Sequence, residues 1–350
     1  AATPAPAIRE ETPAKAPEST QPPAGADAPT LRSAPQDSDR LEQRSRREER
    51  RDGSAPRLDE RQVIEQRGDR TVIRDGENRV IIRENDRIII RNDDSDRLSR
   101  DARDVRVDRR QNGATVTTVM RPNGVEVVTV RDEDGDIIRR VRRTRDGREV
   151  ILIDDERRGA RRGGFGPVIE LPPLVVDIPR DRYIVEMEEA PVELIEETLI
   201  APPVERVERA YSLGEIRRNY RVLEKVRSVD LNTINFEFGA WEIADDQIGT
   251  LDKIGKAIED IVKRNPNEVF LIEGHTDAVG SNEDNLALSD RRAESVAIVL
   301  TENFDIPAEN LITQGYGEEQ LKVESQGEER ENRRVTLRNI TPLLAADGAR

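Results

Sequence analysis

The chain has no cysteine. That excludes disulfides, thiolate-held zinc, cysteine nucleophiles and a lipid-modified N-terminal cysteine. It leaves the compartment open, since an oxidising space tolerates a cysteine-free protein. Histidine is almost as scarce, with His275 the sole example. Aromatic residues are 3% of the sequence, and all ten lie at Phe165 or later. Lysine is missing between residues 41 and 160, where every base is arginine. No apolar run approaches the ~18 residues of a membrane-crossing helix, so no transmembrane helix is expected. The first residues are Ala1-Ala2-Thr3 rather than methionine, which reads as a processed or trimmed chain. The lack of a targeting segment is therefore no argument for cytoplasm.

What is abundant is charge. Of 350 residues, 37% are charged, with 57 Lys+Arg against 72 Asp+Glu and a net of −15. The length allows two or three domains, but the composition is too polar for one core to use all of it. Residues 1–40 carry 4 bases and 6 acids, residues 41–160 carry 30 and 28, and residues 161–350 carry 23 and 38. The net charge thus sits in the last part. An acidic C-terminal half lacks the basic face that phosphate contacts need. The arginine-rich middle is matched almost one for one by acids and has no aromatic to stack a base. Nucleic acid is disfavoured as a partner, and the plainer reading of the middle charges is a solvated surface.

Along the chain, residues 1–37 hold eight prolines and almost nothing to bury, the mark of disordered, loosely polyproline-like spacer. Residues 40–60 are dense in Arg and Glu and read as disorder or a short exposed helix, so 1–60 forms one spacer. From residue 61 to 158, short β-branched clusters recur: Val63-Ile64, Val72-Ile73, Val80-Ile81-Ile82 and Ile88-Ile89-Ile90. Further strands are expected at Thr115–Met120, Val125–Arg131, Ile137–Arg142 and Glu149–Ile153. The turn signals are Asn123-Gly124, for which a type I′ turn is expected, Asp134-Gly135 and Asp146-Gly147. This predicts a separate all-β, arginine-rich antiparallel region. It is not an outer-membrane barrel, because the clusters are short, bracketed by arginine and free of aromatic girdles. Two-stranded ribbons are marginal alone, so a partner is one way to stabilise it.

Residues 159–212 read as a flexible, extended linker. Its Gly163-Gly164-Phe165-Gly166 cluster lacks the preceding strand, the following helix and the lysine of a nucleotide loop. Leu213, Ile216, Tyr220, Leu223 and Val226 have helical spacing and predict a lead-in helix up to Arg227. The last domain, 213–341, then shows a half-buried strand over Thr233–Phe238 and a helix stripe from Ile248 to Val262. Next come an apolar strand, Val269–Ile272, and a second helix starting at Ser289 as N-cap. Strands at Leu311–Gly315 and Arg334–Leu337 complete it, and 342–350 is a tail. The order β-α-β-α-β-β predicts an α/β sandwich, a mixed sheet with helices on one face.

Within that domain stand Gly274-His275-Thr276-Asp277, Gly280, Asn285, Leu288-Ser289, Arg292-Ala293 and Val296, flanked by Phe236-Glu237-Phe238, Gly315-Tyr316-Gly317-Glu318 and Asn332-Arg333-Arg334-Val335. Several spaced elements in one order resemble the OmpA-like C-terminal, peptidoglycan-associated domain, over about residues 230–340. The resemblance implies noncovalent binding of the cell-wall peptide stem, chiefly its diaminopimelate residue, in the periplasm or at the periplasmic face of the outer membrane of a diderm bacterium. By that likeness Asp277 takes the ammonium and Arg292 the carboxylate, Asn285 shapes the loop between them, and Asn332 and Arg334 line or brace the pocket. A helix start near Ser289 would add a favourable field for the carboxylate. A zwitterion needs both signs at short range, and an arginine fork suits a carboxylate.

Each residue also has a plainer reading. Asp277 could cap a turn, Arg292 could pair with Asp290 or Glu294, and Arg291 reads as solvated. Arg333 and Arg334 alternate, so only one faces the site, and the likeness favours Arg334. His275 has no second histidine or cysteine beside it and reads as structural, as Trp241 and Phe238 read as packing. Two departures stand out. The loop Glu319–Ser325 lacks the proline often present in such domains, and the chain shows neither barrel nor lipid anchor. No spacing builds paired acids, a metal site or an activated nucleophile, so the chain reads as no enzyme, with no cofactor. The competing reading is an interaction protein whose residues 61–207 dock another envelope protein.

Overall fold

The computed structural model describes residues 61–156 apart from 77 and 86, residue 169, residues 171–234, residue 236 and residues 239–345, all within one compact unit. The spacer expected over 1–60, the glycine-rich joint at 159–166 and the end of the tail lie outside the described residues. Two antiparallel sheets come first. One has four strands in sequence order, β1 (Gln62–Arg67), β2 (Arg70–Asp75), β3 (Arg79–Glu84) and β4 (Arg87–Asn92). After a single helical turn, α1 (Ser95–Leu98), the other has five strands, β5 (Asp104–Arg109), β6 (Thr115–Met120), β7 (Glu126–Arg131), β8 (Ile137–Arg143) and β9 (Glu149–Asp154).

All four hairpins of the second sheet use one device. A glycine at positive φ (Gly113, Gly124, Gly135 or Gly147) donates its N–H to the carbonyl three residues back. At Asn123-Gly124 only the glycine has positive φ, so the turn is not the expected type I′. Pro122 instead starts a turn of type I sense with Gly124 as its left-handed closing residue. β5, an exposed edge strand whose only apolar residues are Val105 and Val107 in a charged run, was not expected from the sequence.

The third sheet is mixed, in the order β10 (Ile184–Glu186), β11 (Ser228–Asp230), β14 (Val335–Asn339), β12 (Phe270–Gly274), β13 (Leu311–Gly315). β10 pairs parallel with β11 and β12 parallel with β13, while β14 runs antiparallel between them. Its helices are α2 (Arg180–Tyr183), α3 (Val192–Ile200), α4 (Leu213–Arg218), α5 (Tyr220–Leu223), α6 (Asp252–Arg264), α7 (Asn282–Asn303) and α8 (Thr341–Leu344). The first strand of the domain lies at Ser228–Asp230 rather than Thr233–Phe238. Thr233, Ile234 and Phe236 are not in a strand, and residues 235, 237 and 238 lie outside the description. The expected lead-in helix is two short ones, broken where Asn219 turns extended and its side chain ties Glu215 and Ile169 backbone groups. Part of the expected linker is ordered as well, since β10 extends the sheet and Ile195 and Leu199 of α3 join the core.

Helices cover both faces of this sheet, not one. Phe270 and Ile272 pack under α6 and α7, with Ile254, Ile258, Ala293, Val296 and Leu300. Val269 and Leu271, on the other face, pack with Leu213, Ile216, Leu223 and Leu343, and with Ile137, Leu152 and Ile153 of the second sheet. An apolar run through a strand signals burial on both sides.

The arginine-rich sheets are not separate, and their charges are not simply solvated. Ile81 and Ile90 pack on Leu286 and Ala287 of α7, and Leu98, Val119 and Val127 pack on Ala308. Around those contacts, Arg79 reaches Asp290 at 2.8 Å, Arg97 reaches Glu294 at 2.9 Å, and Arg121 and Arg142 grip Glu309 at 2.6 and 3.2 Å. Within the sheets, fully buried Arg140 and buried Arg131 meet the Asp94 carboxylate at 2.8 and 2.6 Å, with Arg97 at 3.7 Å. Burial alone would raise the pKa of Asp94, but Arg140, Arg131 and Arg97 outweigh it and hold the carboxyl well below its ordinary range. Asp136, between Arg91 and Arg218, and Glu309 are lowered in the same way, their arginines outweighing burial.

Replacing Asp94 by Asn leaves three guanidinium groups around a neutral amide. The expected loss, read by urea denaturation, is about 3–5 kcal/mol, and a change within about 0.5 kcal/mol would contradict the buried cluster. The three lowered carboxyls also set a pH dependence. A depressed folded pKa gives stability that is fully present above the unfolded value, near 4, and is lost as pH falls through the folded one. Melting temperature should therefore hold from neutrality down to about pH 5 and fall steadily below about pH 4.

Candidate functional site

The end of β12 carries Gly274-His275-Thr276-Asp277 beneath α7. The helix crosses so close that a Cβ on Gly274 would lie 1.8 Å from the Ser289 carbonyl oxygen, and one on Gly315 2.6 Å from the Asp290 nitrogen. Only glycine permits that approach. α7 begins at Asn282 with Ser281 as its N-cap, the hydroxyl accepting from Asp284 N–H. Ser289 is therefore not an N-cap. It is a buried mid-helix residue whose hydroxyl donates to the Leu286 carbonyl and accepts from Gly317 N–H. Nothing between Asn282 and Leu288 breaks a helix, and Leu286 and Ala287 are buried against the first sheet, so the helix extends.

Asp277 and Arg292 come together at this strand end, and both are buried. Asp277 accepts from Arg333 Nη1 at 2.7 Å and, at 3.4 Å, from the backbone N–H groups of Val279 and Glu329. Arg292 donates from Nε to the Ala240 carbonyl at 3.0 Å and lies over the Phe236 ring at 4.9 Å. Its Nη1 is buried without a partner, as is the Thr276 hydroxyl. Burial, and then the neighbouring Arg333, push the Arg292 guanidinium down to about 10, against the pull of Asp277. It stays charged at neutral pH.

The remaining expected residues divide. Asn285 donates to Glu318 at 2.7 Å and so ties α7 to the loop after Gly317. Asn332 is buried and holds the backbone of Lys322 and Val323 through three hydrogen bonds. Arg334 does not reach Asp277; its Nη2 donates to the Gln320 carbonyl, and the neighbouring Arg333 takes the place at the carboxylate. Strand alternation signalled that only one arginine would face the site but not which. Thr276, Phe236 and the Ala240 carbonyl were not assigned to the site from sequence, and an unpartnered atom has no sequence signal.

Arg291 is buried rather than solvated, pairing with Asp75 of β2 at 3.0 Å over the Trp241 ring. His275 is fully buried and stacked on Tyr316 at 5.7 Å. Burial, Arg334 and Arg338 hold its pKa well below 6.5, so the ring is neutral. Among the described residues, no three His, Asp or Glu side chains gather as a metal site would require.

The architecture defines a two-sided α/β domain that holds Asp277 on Arg333 at a strand end, within the electrostatic reach of Arg292. Residues 235–334 match the OmpA family. The chain is 31% identical over 129 residues to the peptidoglycan-associated lipoprotein of Haemophilus influenzae, covering 36% of this chain and 74% of that protein. It is 31% identical over 85 residues to outer membrane porin F of Pseudomonas aeruginosa, covering 24% of this chain and 23% of the porin. The chain thus spans only about a quarter of the porin's length. The crystal structure of the peptidoglycan-associated lipoprotein from Burkholderia pseudomallei is similar over 30% of this chain and 86% of that one, at 26% identity and a TM-score of 0.26. The chain belongs to the OmpA family through its C-terminal domain.

Substituting Gly274 by Ala should force β12 and α7 apart. The expected cost is at least about 1–3 kcal/mol in chemical denaturation, and a neutral result would contradict the close crossing.

Proposed function

We propose that the chain binds peptidoglycan noncovalently through residues 235–334, at the periplasmic face of the outer membrane, as a binding protein rather than an enzyme. The observation that carries this reading is the unpartnered Arg292 Nη1 beside Asp277 and the free Thr276 hydroxyl. A buried guanidinium N–H with no acceptor is a poised anion donor, and a carboxylate close by supplies the opposite sign. That pair suits a zwitterionic centre, and we assign the diaminopimelate of the peptide stem to it, its carboxylate to Arg292 and Thr276, its ammonium to Asp277. Arg333 already holds Asp277, so the ammonium shares that carboxylate or displaces the arginine. Asn285 and Asn332 act through the loops they tie. Each charged contact is modest where water reaches it, and many stems on one wall sheet raise the effective affinity.

The arginine-rich region, 61–158 in our division, serves in this reading as a brace for the binding domain. Its arginines meet carboxylates of α7 and of Glu309 within the same chain. The docking of another envelope protein by residues 61–207 remains the second reading, supported by edge strands β1 and β5, where Val63 and Val107 are about 60% exposed.

The full chain should cosediment with insoluble diaminopimelate-containing peptidoglycan, and Asp277→Ala and Arg292→Ala should each lose most of the bound fraction while melting as folded proteins. Removing one partner of a buried charged contact costs about 2–5 kcal/mol of binding. Wild-type protein left in the supernatant would sink the reading. Trp241, the only tryptophan, follows the Ala240 carbonyl that holds Arg292. Its emission should shift on adding a soluble diaminopimelate muropeptide to the wild type, but not to Arg292→Ala.

A further inference from the structure

The third sheet holds a second polar recess, on the face away from α6 and α7. Alternation sends Val185, Val229, Val335 and Leu337 into the core beneath those helices. Ser228, Asp230, Arg334, Thr336 and Arg338 therefore face the other way, and they line a cavity of about 200 Å³. Tyr220 and the segment Gln320-Leu321-Lys322 enclose it further, and exposed Arg180 also lines it.

Each acid in and around this recess meets a cation, although Glu273 Oε2 has no partner. Asp230 accepts from Thr336 at 2.8 Å and from Lys322 at 3.1 Å, and Glu186 holds the same lysine at 2.6 Å. Glu273 holds Arg338 at 2.8 Å, and the remaining Arg338 donors go to the Leu223 and Val226 carbonyls and the Tyr220 hydroxyl. Arg334 is different. One of its nitrogens donates to the Gln320 carbonyl, while Nη1 is buried with no partner. The Ser228 hydroxyl, on a residue only 1% exposed, also has none. Two buried donors without acceptors thus line one cavity, with the Arg180 guanidinium as a further positive group.

We propose that this cavity is a second ligand site, for a compact oxyanion, a carboxylate or a phosphate, held by Arg334 Nη1 and the Ser228 hydroxyl. A guanidinium edge matches the paired oxygens of either group, and a serine hydroxyl supplies a second donor. The volume is below the roughly 300–1,000 Å³ of sites for drug-sized ligands, so the cavity suits a small charged group. An anion is favoured over a cation, because Arg334 Nη1 can only donate and the Arg180 and Arg338 guanidinium groups also line the cavity. The site is distinct from the Asp277–Arg292 cluster: the adjacent residues Arg333 and Arg334 serve different recesses. It stands whether or not the domain binds the cell wall.

The test is an NMR titration of the ¹⁵N-labelled full chain with inorganic phosphate and, separately, with acetate at constant ionic strength. Saturable shifts are expected at the amides of residues 228, 320–322 and 334 with at least one of the two anions. A preference for phosphate points to a phosphate ester as the natural ligand, and a preference for acetate to a peptide carboxylate. Arg334→Gln should weaken the binding at least tenfold and Ser228→Ala severalfold, with Arg148→Gln, at an exposed hairpin turn, unchanged. Ser228→Ala decides the matter if Arg334→Gln fails to fold. No saturable shift with either anion, undiminished binding in Ser228→Ala and Arg334→Gln, or loss in Arg148→Gln would each overturn the proposal.

Discussion

The arrangement of residues 61–345 depends on neutralising guanidinium groups that folding takes out of water. Arg97, Arg131, Arg140 and Arg142 are all buried, and each is met by a carboxylate: Asp94, Glu294 or Glu309. Such pairs add little net stability over apolar packing, but removing one partner is costly. They therefore act mainly by choosing which surfaces meet. The favourable burial comes from apolar contacts such as Ile81 and Ile90 on Leu286 and Ala287, and the ion pairs set the alignment of those contacts.

One helix joins that docking to the candidate site. At about 100° per residue, Asp290 and Glu294 lie on the side of α7 opposite Arg292. Asp290 and Glu294 hold the β region, and the opposite face carries Arg292. The helix can approach the sheet closely because Gly274 and Gly315 carry no Cβ at the crossing. Asp277 follows Gly274 by three residues, so the crossing delivers both charges to one strand end. The neutral, stacked His275 fills the interior behind them.

Much of the fold was legible because local rules govern it. The β-branched clusters and Asp-Gly or Asn-Gly pairs located eight of the nine strands in the arginine-rich region, since turn chemistry and strand propensity act over a few residues. The stripe over Ile254, Ile258 and Ile261 located α6 for the same reason. The start of α7 was misplaced because Ser281 and Ser289 are equally good caps in isolation, and the burial of Leu286 and Ala287 against a distant sheet selects between them. β5 was missed because two valines in a charged run are a weak signal.

The site shows the same division. Asp277, Arg292, Asn285 and Asn332 were named from their place in a motif, yet the choice of Arg333 over Arg334 as the partner of Asp277 followed from how the strand enters the sheet. By itself the sequence determined the strand and helix periods and the glycines at the turns. The tertiary structure alone decided which arginines are buried, which carboxylates neutralise them, and which donors remain without an acceptor. The physical reason is range. Backbone hydrogen bonding and side-chain alternation are set by neighbours in the chain, whereas Arg97 and Glu294, or Arg79 and Asp290, are about 200 residues apart and meet only when the whole fold has closed.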